Sequence, residues 1–228
     1  MGKSIKKIAA FFCAAVMSTC AAFAATRITV VGDSISQGIG IPEKERAEFC
    51  YPAQLGKILE GFCVVENCSM RGSNIVAKGF RPYMKQKCYK RALESKPDVV
   101  LVLLGANDGH CRNWKFKDDF ERDYNALLDS FANLDTRPQI ILGIPLPCFI
   151  KGNPKAIDGG VLRNEITPII EKIAKKRGLK TVDFYALFAD KKALMPDKIH
   201  PNKDGAAVMA QFLAKWLVEN GVVKVSEK

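Results

Sequence analysis

Two short stretches at opposite ends of the chain hold side chains that could do chemistry together. Val-Gly-Asp-Ser-Ile-Ser occupies residues 31–36, and Asp-Lys-Ile-His-Pro-Asn occupies residues 197–202. A serine hydroxyl needs a base before it can attack a carbonyl. The chain has only 2 histidines, His110 and His200, so a serine nucleophile has little choice. His200 follows Asp197 closely enough for the carboxylate to hold the imidazole Nδ1 proton and fix the tautomer. Ser34, Asp197 and His200 are therefore candidates for nucleophile, orienting acid and base, in that chain order.

A carbonyl under attack gathers negative charge, which preorganised donors must meet. Three are on offer: the backbone N–H of Ser34, the backbone N–H of Gly72 and the side-chain amide of Asn107. Each candidate has a plainer reading. Ser34 could be a turn serine, His200 a helix-entry residue, Asp197 a loop carboxylate and Asn107 a turn residue. Gly72 could be a turn glycine with positive φ, a role compatible with donating its N–H. Finding all of them in one chain favours the chemical reading. Asp33 and Asp108 read as residues that orient neighbouring loops.

The surrounding pattern must bring these residues together. Short apolar runs at Arg27–Val31, Phe62–Val65, Asp98–Leu104, Gln139–Gly143 and Thr181–Val182 read as strands. Asp98–Leu104 is apolar on both faces, as a central parallel strand should be. Helices are predicted over 52–59 and the highly basic 83–94, and over 116–132, 161–173 and 206–217 from apolar residues at helical spacing. The alternation predicts a three-layer α/β/α sandwich with a mainly parallel five-stranded sheet. In such a sheet the site lies beyond the carboxyl ends of the strands, where Ser34, Gly72 and Asn107 would all fall. Pro201 holds His200 out of helical geometry, and Asn202 or Asp204 can cap the last helix.

Gly-Asp-Ser-Ile-Ser, the Gly72 segment Cys-Ser-Met-Arg-Gly-Ser, Gly-Ala-Asn-Asp and Asp-Lys-Ile-His stand in order along the chain. Together they resemble the four blocks of the SGNH, or GDSL-type, hydrolases, and the resemblance spans nearly all of residues 26–228. Lys96-Pro97-Asp98, Asn113-Trp114-Lys115 and His200-Pro201-Asn202 look most like carbohydrate esterases of the sialate O-acetylesterase type. The resemblance implies a flavodoxin-like sheet, removal of acetyl groups from sugar hydroxyls, and no metal or organic cofactor. It implies an acetylated glycan or sialic acid as substrate, with Trp114 and His110 as candidate substrate contacts. Trp114 reads equally as an anchor for a long loop, and His110 as a loop residue. One departure stands at Asn67-Cys68-Ser69, where relatives often carry Asn-x-Gly in a loop near the site.

Residues 1–25 differ from the rest. Lys3, Lys6 and Lys7 precede an apolar run over 8–24, and Ala22-Phe23-Ala24 matches a small-x-small cleavage pattern. This reads as a secretory signal peptide removed after Ala24 or Ala25, with residues 26–228 as the hydrolase domain. The rival readings are a retained anchor and a lipoprotein signal ending at Cys20. The run is short and Ala-rich for a spanning helix, and Thr19 is bulky for a lipidation site. A periplasmic or secreted protein with no stable membrane insertion follows.

Without those three lysines the formal charge of +11 becomes +8. The lysines are scattered, so this reads as a solvated basic surface rather than a nucleic-acid site. Six cysteines remain: Cys50, Cys63, Cys68, Cys88, Cys111 and Cys148. An even number in an exported chain permits disulfides, and small buried hydrophobes are the other reading. With no Cys-x-x-Cys pair and few histidines, no zinc site is expected. The chain has no Gly-x-Ser-x-Gly elbow, His-Glu-x-x-His, P-loop or Gly-x-Gly-x-x-Gly. Two functional alternatives remain: a lipase or thioesterase for longer acyl chains, and a catalytically silent glycan- or cell-wall-binding protein.

Overall fold

Val99–Leu103 is the run Val-Val-Leu-Val-Leu, and every residue of it is buried. That fits its place as the middle strand, β3, of a five-stranded parallel sheet ordered β2-β1-β3-β4-β5. Its neighbours are β1 (Thr26–Gly32) and β4 (Gln139–Ile144), and the edges are β2 (Cys63–Ser69) and β5 (Lys180–Asp183). A strand covered on both faces is apolar throughout, whereas an edge strand keeps polar positions. β2 and β5 show this, with partly exposed residues along much of their length. The computed structural model describes residues 25–150, 153 and 155–225. The signal-peptide reading of 1–25 therefore falls almost wholly outside the described residues.

Among the described residues ten helices follow in chain order. They are α1 (Ser34–Gln37), α2 (Glu43–Phe49), α3 (Tyr51–Ile58), α4 (Lys87–Glu94), α5 (Cys111–Trp114) and α6 (Phe120–Ala132). After these come α7 (Gly159–Val161), α8 (Thr167–Arg177), α9 (Phe184–Phe188) and α10 (Lys203–Glu219). The period-two alternation of the strands sorts the core into two clusters. Ile28, Val30, Leu101, Leu103 and Val182 face α3, α9 and α10. Val31, Val100, Val102 and Leu142 face α4, α6 and α8. Three layers result, and each wholly buried Phe or Leu in them stabilises the fold by about 1.5–3 kcal/mol. No described helix is long and apolar enough to cross a membrane.

Local chemistry explains where elements differ from the sequence reading. The expected 83–94 helix is split: Gln86 is extended, with φ −93° and ψ 152°, between a 3₁₀ turn over Tyr83–Lys85 and α4. The expected 161–173 helix opens with a π turn over Leu162–Ile166 before α8. Pro168 has no N–H to give back along the helix and its ring crowds the preceding turn, so the backbone widens there. Strand β2 runs on to Ser69, so Asn67-Cys68-Ser69 lies in the sheet and not in a loop. Asn202 caps α10 by accepting the Gly205 N–H at 2.9 Å. Cys50, Cys63, Cys68 and Cys88 are buried as small apolar groups.

Strand order reverses at β1: the chain steps from β1 to β2 on one side, then crosses to β3 on the other. The crevice outside the carboxyl ends of β1 and β3 is therefore the switch point at which open α/β sheets place their sites. Ser34 follows β1 and Asn107 follows β3.

Candidate active site

Ser34 begins α1 directly after the turn at Asp33. The Asp33 carboxylate caps that helix by accepting the Ile35 N–H at 2.9 Å. Two residues on, the Ser36 hydroxyl shares a buried 2.9 Å hydrogen bond with the Tyr51 hydroxyl of α3, which pins the short helix to the core. The Ser34 hydroxyl is left facing His200, with Oγ 2.8 Å from Nε2.

His200 comes from a loop that closes on itself. The Asp197 carboxylate accepts the Ile199 N–H at 3.0 Å and the His200 N–H at 2.7 Å, and its other oxygen lies 2.6 Å from His200 Nδ1. A proton on Nδ1 satisfies that last bond and leaves Nε2 to accept from Ser34. Between them Lys198 has φ +71°, a left-handed conformation that a side chain rarely adopts. Two backbone bonds hold it: Lys198 N–H to Met195 O at 2.8 Å, and Phe149 N–H to Lys198 O at 2.9 Å. Burial pushes the Asp197 carboxyl up, but the hydrogen bonds from His200 and Ile199 outweigh it and hold the acid below its ordinary value. Asp197 is thus ionised wherever a neutral imidazole is available to act as a base.

Gly40 fixes the same loop from outside. A methyl group there would overlap the Pro201 carbonyl oxygen and lie 2.7 Å from its carbon and 2.9 Å from the His200 oxygen. Only glycine lets the segment after α1 pass so close to the loop that carries the histidine.

The three oxyanion candidates converge on the same edge. Gly72 has φ +75°, which glycine adopts without strain. The flanking N–H groups are occupied, Arg71 with Gln37 Oε1 and Ser73 with Met70 O, each at 3.1 Å. Asn107 and Gly72 line one cleft. The Asn107 amide donates one hydrogen to Asp33 Oδ2 at 2.9 Å, which leaves its second N–H for a ligand. Asn113 holds the backbone below it, donating to Asn107 O at 2.7 Å while accepting the Phe80 N–H at 2.8 Å.

Two buried acids brace these loops. Asp33 is 2% exposed. Burial pushes its carboxyl up to about 6, against the opposing pull of the Ile35 N–H, the nearby His200 and Asn107. Asp108 accepts the N–H groups of Ile75 and Val76 at 2.8–3.0 Å, tying the loop after Gly72 to the loop after β3. Burial drives Asp108 up to about 7, partly offset by the same N–H donors.

The remaining candidates separate. Trp114 is packed into the core beneath α6, edge-on to Phe120 at 5.5 Å, and its Nε1 donates to Glu165 at 2.9 Å. These contacts anchor the loop after β3, and Trp114 lines a separate pocket with Gly109, Lys115 and Asp158 rather than the cleft of Gly72 and Asn107. His110 lies in the cleft wall with Gly72 and Asn107. Its ring caps α5 by accepting the Arg112 N–H at 3.2 Å, and its other nitrogen meets Lys155 O at 3.0 Å. Among the described residues no three His, Cys, Asp or Glu side chains are grouped as metal ligands. Sequence reasoning gave no role to Gly40 or to the hold of Asp33 on Asn107. Adjacency to Ser34 is the one signal that marks Asp33.

Fold and site together define an α/β protein with a serine–histidine–aspartate chain at its switch point. The GDSL-like lipase/acylhydrolase family model matches residues 30–208, and the chain belongs to that family. It is 34% identical over 209 residues to an acetylxylan esterase of Xylanibacter ruminicola, which covers 83% of this chain. The chain spans only 42% of that longer protein. It is also 26% identical to thioesterase 1/protease 1/lysophospholipase L1 of Escherichia coli K12, with 89% of this chain and 88% of that one covered. A solved acetyl xylan esterase superposes with a TM-score of 0.66 at 19% identity, over 84% of this chain and 100% of that one. At that identity the likeness speaks for the fold.

Proposed function

We propose that this chain is an exported serine esterase that removes acetyl groups from carbohydrate hydroxyls. The observation that carries the reading is the unbroken line Asp197–His200–Ser34, with contacts of 2.6 and 2.8 Å. In this reading Ser34 Oγ attacks the acetyl carbonyl while His200 Nε2 takes its proton. The negative oxygen is met by the Ser34 and Gly72 N–H groups and the Asn107 amide. His200 then gives the proton to the departing sugar hydroxyl. Water, activated by the same imidazole, attacks the acetyl-serine, and acetate leaves with Ser34 restored.

The acetylxylan esterase relative supports a sugar acetyl ester as the substrate class. So does the cleft beside the oxyanion donors, where Phe80 stands among Arg71, Arg81, His110, Arg112 and Asn113. Such a wall suits a hydroxyl-rich leaving group better than a long acyl chain. Export rests on the leader-like residues 1–25.

A series of p-nitrophenyl esters from acetate to octanoate tests the acyl preference. The reading predicts the highest kcat/KM on acetate and a decline with chain length. A rise with chain length would favour the thioesterase or lipase alternative. Absence of turnover on every ester by folded protein would favour the binding-protein alternative.

A further inference from the structure

The wall of the Asn107 cleft carries three arginines that make no salt bridge among the described residues. Arg27, Arg91, Arg122 and Arg177 each pair with a carboxylate elsewhere on the surface. Arg71, Arg81 and Arg112 have no carboxylate within 4 Å among the described residues, yet all three line this one cleft with His110. They come from separate segments: the Gly72 turn, the loop after Gly79 and the start of α5.

Two of the guanidinium groups are held in place. Arg81 Nη1 donates to Arg71 O at 2.9 Å, which lays the side chain along the Gly72 turn. A methyl group at Gly72 would lie 3.6 Å from that same nitrogen, so the charge sits next to an oxyanion donor. The Arg112 guanidinium stacks 3.9 Å from the centre of the Phe80 ring, and Arg81 approaches the same ring at 5.9 Å. Phe80 is 63% exposed, so its ring stands open to both guanidinium groups. Its backbone is fixed in turn by Asn113, which also holds Asn107. Ordering these long side chains in advance removes much of the entropy cost of using them. Gathering like charges without counter-charges is unfavourable for the free protein, and an anionic ligand relieves it. The cleft holds about 360 Å³, within the range of small-molecule sites (~300–1,000 Å³).

We propose that this cleft is a subsite for a carboxylate on the glycan, so that acidic acetylated oligosaccharides of the uronic-acid type are preferred over neutral ones. The proposal rests on the esterase reading. Guanidinium forks pair with both oxygens of a carboxylate, and Arg81 and Arg112 can grip one from two sides. The acidic sugar then sits against Arg81 and Arg112 while the acetyl group of its neighbour meets Ser34, Gly72 and Asn107.

The test compares kcat/KM on two acetylated pyranose oligosaccharides that differ only in one uronic acid next to the acetylated residue. The expected ratio, acidic over neutral, is ~10-fold or more at low salt, and it falls as sodium chloride is raised. Arg112→Gln and Arg81→Gln should each bring the ratio toward one. Because the ratio is read within each variant, a general loss of activity cancels. Binding of the same two sugars to Ser34→Ala by calorimetry reads the subsite without turnover. Wild-type protein that turns over both sugars and binds both equally would overturn the subsite and leave the esterase reading intact. Tighter acidic-sugar binding without hydrolysis of any acetyl ester would do the reverse. Preference for a sulfated over a uronic-acid oligosaccharide would overturn the carboxylate assignment.

Discussion

The Asp33–Ser34 turn and the Asp197–His200 loop each set an aspartate beside a reactive residue, and the two acids live in opposite surroundings. Asp33 is sealed in the core at 2% exposure, where burial raises it to about 6. The Asp197 side chain is 52% exposed, and its donors hold it below the ordinary value despite partial burial. The first region is built on the sheet and packed from beneath. The second is a loop kept in shape by its own hydrogen bonds, by a strained Lys198 and by the close approach of Gly40. The nucleophile is thus placed by packing and the base by local hydrogen bonding, so the two halves should fail in different ways.

Asn107→Ala breaks the sheet-borne half at its most sensitive point. It removes an amide oriented by Asp33, and kcat on p-nitrophenyl acetate should fall ~10²–10³-fold with little change in KM. A fall in KM-limited binding alone would instead make Asn107 a ground-state contact. Gly40→Ala attacks the loop-borne half without touching a reactive group. The methyl displaces Pro201 and His200, and because small misplacements are costly, kcat should drop ~10²-fold while the far-ultraviolet spectrum stays unchanged. Full activity in Gly40→Ala would mean that the loop yields freely.

The third prediction concerns pH and has the smallest effect. A carboxyl raised from 3.8 to about 6, as in Asp33, binds its proton more readily folded than unfolded. Its contribution to stability therefore grows as pH falls through that window. A lowered carboxyl, as in Asp197, contributes stability above its unfolded value and loses it as pH falls through the folded one. Melting temperatures from pH 7 down to pH 3 check this. Between pH 7 and 4, wild type should gain on Asp33→Asn as pH falls. Its advantage over Asp197→Asn should shrink below the ordinary carboxylate value. Parallel curves for the two variants would contradict the contrast in environment.

Much of this was legible in the sequence, for physical reasons that vary by residue. Asp197 and His200 stand three apart before a proline, a local pattern that the hydrogen-bonded loop realises directly. The apolar run of β3 signals a strand covered on both faces, and the order β2-β1-β3 then puts Ser34 and Asn107 at one crevice. Edge strands and short helices were less legible. β2 carries Glu66 and Asn67 at partly exposed positions, which hides its last residues, and α1 is too short to show a period. Gly40 could not be read at all. Its value lies in contact with Pro201, and no local pattern connects residues that far apart in the chain. The same holds for Arg71, Arg81 and Arg112, which only the folded loops gather.

The most direct measurement is acetate release by the purified protein from a panel of acetylated glycans, with Ser34→Ala in parallel. The account predicts release from at least one glycan, reduced ~10⁴-fold or more in the variant. Equal release by wild type and Ser34→Ala, or none from any acetylated sugar by folded protein, would contradict it.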